Sequence, residues 1–140
     1  MILLDTNVIS EQMRPLPSEQ VLRWFDGLVG TPLFLSTVTE AELLRGIANM
    51  PHGKARTIKA ALLDEILRED FKGWILPFDS KAAGHYAEIF AHVKKIGRPI
   101  SVFDCMIASI AKANDCQLAT RNVADFEHCG VEIIDPWREA

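Results

Sequence analysis

Cysteine is scarce and scattered. Cys105, Cys116 and Cys129 form no CxxC pair, which excludes a disulfide framework or a thiolate zinc site as the basis of the fold. Positive charge is not in excess either. Fifteen Lys and Arg stand against nineteen Asp and Glu, a formal net charge of −4. A global cationic footprint for nucleic acid is therefore missing, and any such contact must come from a local patch. No apolar run reaches the roughly 18 residues of a membrane span, and no basic segment leads into a long apolar one. His52, His85, His92 and His128 lack the HxxxH or Cys/His spacing of metal ligands and read as surface or packing residues. Internal repeats, low-complexity tracts and interdomain linkers are also missing. These absences lead to the expectation of a reduced, soluble, cytoplasmic protein with no membrane association, built as one domain over residues 1–140.

What is present is an ordinary globular balance, 49% hydrophobic and 24% charged. A chain of 140 residues buries about 70% of its unfolded surface without a staple. The run Ile2-Leu3-Leu4-Asp5 reads as a short strand covered on both faces, with a carboxylate at its carboxyl end. Leu33-Phe34-Leu35-Ser36, Trp74 to Phe78, Gln117 to Thr120 and Val131 to Ile134 are the other strand candidates, and Pro77 pushes the third toward a sheet edge. Helical spacing fills the intervals. Thr6 is expected to cap a short helix, Ser18 the next, which Gly30 ends, and Thr39 the one after β-type residues 33–36. That third helix is expected to bury Ala41, Leu44, Ile47 and Ala48. The following helix is expected to bury Ile58, Leu62, Leu63 and Ile66, and a long helix from Ser80 closes at Gly97. Ser101 caps a helix striped with Phe103, Met106, Ile107, Ile110 and Ala111. Strands alternating with helices imply right-handed crossovers and a parallel sheet with helices on both faces.

The acids fall in a pattern. In such a sheet ligands bind outside the carboxyl ends of the strands, where Asp5 sits and where helices following strands begin. Thr39-Glu40-Ala41-Glu42 and Ser101-Val102-Phe103-Asp104 each place a hydroxyl at a helix start and an acid three residues on. Read structurally, Glu42 and Asp104 complement a helix dipole, worth about 0.3 to 1 kcal/mol each. Read functionally, they join Asp5 in one cleft. Two carboxylates 4 Å apart repel by about 4 kcal/mol at an effective dielectric near 20. Such a cluster needs a cation or a retained proton, and oxygen donors without Cys or His suit a hard ion, Mg²⁺ or Mn²⁺.

With Asp5, Glu42, Asp104 and Thr120-Arg121-Asn122 in place, the chain resembles the PIN-domain ribonucleases, specifically bacterial toxins of the VapC and FitB type. The likeness runs from Met1-Ile2-Leu3-Leu4-Asp5-Thr6-Asn7-Val8-Ile9-Ser10 through Glu42-Leu43-Leu44-Arg45-Gly46-Ile47 and Asp104-Cys105-Met106-Ile107-Ala108. It ends in Thr120-Arg121-Asn122-Val123-Ala124-Asp125-Phe126 and Asp135-Pro136-Trp137. The resemblance implies a PIN-like three-layer α/β/α fold with a central five-stranded parallel sheet. It also implies RNA phosphodiester hydrolysis, tRNA being one candidate substrate, with Asp5, Glu42 and Asp104 as the metal-binding catalytic acids. Mg²⁺ is the implied cofactor, with Mn²⁺ able to substitute. Some relatives carry Asp where this chain has Asn122, so the fourth position falls either to Asn122 as a neutral contact or to Asp125 as a charge. The implied partners are RNA, a cognate antitoxin and a homodimer or a hetero-oligomer with the antitoxin, DNA being reached only through the antitoxin.

Thr6 and Asn7 are candidate contacts to a phosphate or a metal-held water, although Thr6 is equally read as a helix cap. Arg45 and Arg121 are candidate RNA contacts, as are the Lys54, Arg56 and Lys59 run and Lys94, Lys95 and Arg98. Two alternatives belong to other classes: a Mg²⁺-binding phosphoacceptor of signalling type, and a PIN-like interaction module with weakened catalysis. The first lacks the adjacent acids and later Lys such domains carry. The second is opposed by the intact Asp5, Glu42 and Asp104.

Overall fold

Ile2, Leu3 and Leu4 are almost wholly shielded from solvent, and the strand they form, β1 (Ile2–Leu4), lies in the middle of the sheet. The computed structural model describes residues 1–138. In chain order β1 is followed by α1 (Thr6–Gln12), α2 (Glu19–Asp26), β2 (Leu33–Ser36), α3 (Thr37–Ala48) and α4 (Lys54–Glu65). The last of these runs on through a π-helical turn, Ile66–Asp70. Then come β3 (Ile75–Leu76), α5 (Ser80–Lys95), α6 (Val102–Ala113), β4 (Gln117–Ala119), α7 (Val123–Phe126) and β5 (Ile133–Ile134). The five strands pair in the order β3-β2-β1-β4-β5, every pair parallel. This is the three-layer parallel architecture expected from the alternation of elements, and β3 with its following Pro77 does take an edge.

Alternation along β1 divides the core. Leu3 joins Ile89 and Val93 of α5, Ile107 and Ile110 of α6, and Phe126 of α7 on one face. Ile2 and Leu4 join Val8, Ile9, Trp24, Leu43 and Leu63 on the other. Cys105, Cys116 and Cys129 are buried and unbridged. Burial raises all three thiols, Cys129 to about 11, so they pack as small apolar groups.

Helix starts and faces differ in places from the sequence expectation. Asp5, not Thr6, caps α1, its Oδ1 accepting from the Thr6 N–H at 2.8 Å. Ser36, not Thr39, caps α3, accepting from the Thr39 N–H at 3.0 Å. The last residue of β2 thus serves the helix directly, because no loop separates the two. α2 ends at Gly27 and a turn carries the chain on to Gly30. In α3 the buried face is Val38, Thr39, Leu43 and Ile47, while Leu44 is 51% exposed. In α4 only Leu63 is buried, and Ile58 and Leu62 are exposed. Adjacent Leu residues at 43 and 44, or 62 and 63, fit the helical period equally well, so the facing sheet decides which one turns inward. Ser18 and Ser101 cap α2 and α6 as expected.

The two candidate caps of α3 are separable by substitution. Ser36→Ala, which leaves the buried Thr39 N–H without its partner, is expected to lower the unfolding free energy by about 1 to 2 kcal/mol. Urea unfolding measures it, and an unchanged midpoint would show that Ser36 is not the cap.

Candidate active site

The parallel register places Leu4 beside Ala119, so the next residues, Asp5 and Thr120, meet at the carboxyl edge of the two central strands. Asp5 is only 4% exposed and Thr120 is fully buried. The Thr120 hydroxyl donates to Asp5 Oδ2 at 2.7 Å. Asn7 Nδ2 lies 3.3 Å from the same oxygen and 3.4 Å from Thr120 Oγ1. With the Thr6 amide on Oδ1, both carboxylate oxygens are engaged. Burial nevertheless dominates and drives the Asp5 pKa up to about 6. The Thr120 and Thr6 hydrogen bonds oppose that rise, and the charges of Asp104 and Glu42 add to it.

Glu42 reaches the same place from α3. Because Ser36 holds the cap, Glu42 lies in the second turn and has no amide to satisfy there. Its Oε1 accepts from the Thr6 hydroxyl at 2.9 Å, and Thr6 Oγ1 lies 3.1 Å from the Thr39 hydroxyl. Asp104 arrives at the N-terminus of α6, where its N–H donates to the Ser101 hydroxyl at 3.1 Å. Half-burial raises the Asp104 carboxyl, Ser101 pulls it down, and the charges of Asp125 and Glu42 raise it further. The capping device seen in the sequence is real at Ser101, and Asp104 serves the cleft from that position.

Asp5, Glu42 and Asp104 therefore line one cleft of about 560 Å³, together with Thr6, Asn7, Glu11, Arg14, Lys59, Arg121, Asn122 and Trp137. The Arg121 N–H donates to Asn7 Oδ1 at 3.3 Å, and the Asn122 N–H to Thr120 Oγ1 at 3.0 Å. Asp125 is exposed and lines a neighbouring recess with Arg138 and Asp135, acting on the cleft through its charge beside Asp104. Arg45 does not line that cleft. Its guanidinium lies 5.8 Å from the Phe103 ring centre, in an adjoining recess with Phe78 and Met106 that Glu42 also lines. Of the other basic candidates only Lys59 reaches the cleft.

Sequence reading missed Thr39, Glu11 and Trp137 as site components, and it brought Thr120 to this edge without giving it a partner. Glu11, only 4% exposed, accepts from Arg14 Nη1 at 3.1 Å and from the Ser18 N–H at 3.0 Å. Burial pushes its carboxyl up, but the Ser18 amide, Arg14 and, less strongly, the charge of Arg121 outweigh it and hold the group below the ordinary range. This pair ties the end of α1 to the start of α2 and neutralises Arg14. Thr120 had a usable signal, as a hydroxyl ending one strand where an acid ends its neighbour, but only with the strand order known.

The donor set fits a hard divalent ion. Its side-chain ligands are carboxylate oxygens, and they repel one another. Among the described residues, no three His, Cys, Asp or Glu side chains stand close enough to enclose an ion by themselves. Mg²⁺ does not require such a group, because it keeps several waters and takes one or two carboxylates plus substrate phosphate.

Residues 2–130 match the PIN domain family. The chain is 40% identical to Toxin FitB of Neisseria gonorrhoeae over 99% of this chain and 100% of that one. It is 43% identical to VapC ribonuclease Y4jK of Sinorhizobium fredii over the full length of both. The crystal structure of FitAcB from Neisseria gonorrhoeae superposes with a TM-score of 0.88 at 39% identity, covering 99% of this chain and 100% of that chain.

The raised Asp5 pKa has a consequence for stability without metal. Between the unfolded value, 3.8, and about 6 the folded state binds more protons than the unfolded one, so stability falls as pH rises through that window and stays lower above it. Asp5→Asn removes the buried charge and is expected to stabilise the chelator-treated protein at pH 7.5 by roughly 1 to 3 kcal/mol. The gain should vanish near pH 3.5. Urea unfolding at both pH values checks it, and a destabilised Asp5→Asn protein at pH 7.5 would contradict this electrostatic account.

Proposed function

This chain belongs to the PIN-domain family, in its VapC and FitB toxin branch, and from that premise we propose that it is a Mg²⁺-dependent endoribonuclease acting as the toxin of a toxin–antitoxin pair. The observation that carries this reading is the convergence of Asp5, Glu42 and Asp104, from β1, α3 and α6, on one cleft. Its expected setting is the cytoplasm, where RNA and a cognate antitoxin are both at hand. No helix among the described residues is long and apolar enough to cross a membrane.

Asp5, Glu42 and Asp104 are the residues that would hold the ion. When bound, Mg²⁺ supplies Lewis-acid stabilisation of phosphate charge and lowers the pKa of a coordinated water. The chain supplies the rest. Thr120, Asn7 and the Thr6 amide fix the Asp5 carboxylate in one orientation, and the Thr6 hydroxyl does the same for Glu42. Such supporting hydrogen bonds orient the groups that would hold the ion. Asn122 stands at the cleft as the neutral fourth group, and Asp125 contributes charge from outside it. Hydrolysis adds water to phosphorus, breaks the bond to the 3′ oxygen, and leaves 5′-phosphate and 3′-hydroxyl ends. The signalling alternative requires an acceptor carboxylate open to a phosphodonor, whereas Asp5 is buried beneath Thr120 and Thr6.

Purified protein is expected to cut RNA with Mg²⁺ or Mn²⁺ and to stop in excess chelator. Asp5→Asn, Glu42→Gln and Asp104→Asn should each lower the rate by roughly 100-fold or more. Sequencing the RNA ends after induced expression identifies the substrate, with tRNA the first to inspect, and cleavage that persists in chelator would rule the metal mechanism out. Independently of activity, Mn²⁺ should raise the melting temperature of the wild type, by mass action on the folded state, and not that of Asp104→Asn.

A further inference from the structure

The mouth of the cleft carries three cations, and they are not equivalent. Arg14 is committed to Glu11 at 3.1 Å. Lys59 projects from α4 without an ion pair among the described residues. Arg121 also has no ion pair there, but it is not loose. Its guanidinium carbon lies 5.0 Å from the centre of the Trp137 ring, within cation–π range. Its backbone N–H is tied to Asn7, the residue that also reaches the Asp5 carboxylate. The Trp137 ring packs against the core cluster of Ile2, Leu4 and Val8. Its backbone is held by an Asp135 side chain that accepts from the Trp137 N–H at 3.0 Å. The indole thus packs against the core and also carries the guanidinium.

We propose that Trp137 is a positioning residue for RNA, its ring holding the Arg121 guanidinium at the edge of the acid cleft, where Arg121 binds a phosphate beside the one being cut. The proposal rests on the ribonuclease reading above and adds to it the group that offsets the negative cleft. A guanidinium suits the task because it presents paired donors to phosphate oxygens and keeps its planar face for the indole. Restraining it before RNA arrives removes part of the ordering entropy that a free Arg loses on binding.

The test uses anisotropy of a fluorescein-labelled single-stranded RNA oligonucleotide of mixed sequence in excess chelator, alongside cleavage kinetics in Mg²⁺. Trp137→Leu keeps an apolar packing group and removes the ring face. Trp137→Phe keeps a ring face. Arg121→Ala removes the cation. Trp137→Leu is expected to weaken RNA binding about two- to fivefold and to raise KM by a similar factor, with a smaller change in kcat. Trp137→Phe should recover most of the loss. Arg121→Ala should weaken binding further and reduce the salt dependence by about one phosphate contact. The decisive measurement is the double variant, which should bind no worse than Arg121→Ala alone. Additive losses, or a Trp137→Leu protein that binds like wild type, overturn the proposal while leaving the nuclease reading intact. A wild type that neither binds nor cuts RNA overturns both.

Discussion

Asp5 is a carboxylate held almost out of water at the end of the central strand, and the neighbouring polar groups are arranged around the electrostatic cost of that position. Burial alone disfavours its ionised form, and Glu42 and Asp104 disfavour it further. Thr120, Asn7 and the Thr6 amide occupy the carboxylate oxygens and limit the penalty without cancelling it. A site left in this state is under-compensated by the protein. That residual repulsion is the physical basis of the proposed divalent-ion site, because a cation placed among these acids would relieve it.

The same economy governs how the helices present their acids. Ser36 ends β2 and caps α3 in one residue, so Thr39 is displaced into the first turn and Glu42 into the second. Thr39 is then free to sit by Thr6, and Glu42 to accept from it. At α6 the cap and the site coincide, since Asp104 both donates its amide to Ser101 and lends its side chain to the cleft. Two similar sequence patterns therefore have different structural meanings. The difference lies in where the preceding strand or loop ends.

Charge is distributed to match this chemistry. A net charge of −4 does not attract RNA from a distance, and the centre of the cleft is acidic. Attraction has to come from the rim, where Arg121 and Lys59 remain unpaired among the described residues and Arg14 is neutralised by Glu11. A cationic border around an acidic centre favours the approach of a phosphate backbone from the rim and not from the centre.

The sequence by itself determined the parallel α/β architecture, through short apolar strands alternating with amphipathic stretches, and its family likeness singled out the three acids that the tertiary structure brings to one cleft. Ser18, Ser101 and Gly97 were legible because caps and stops act within a few residues. Local chemistry could not decide between Leu43 and Leu44, between Ser36 and Thr39 as the cap, or whether Arg45 lines the acid cleft or sits over Phe103 in the adjoining recess. Nor could it connect Asp5 to Thr120, Glu42 to Thr6, or Arg121 to Trp137. These depend on strand order and register, which bring together residues 115, 36 and 16 positions apart. The tertiary structure decided them because a hydrogen bond or a ring contact is set by distance in space, and only the assembled sheet fixes that distance.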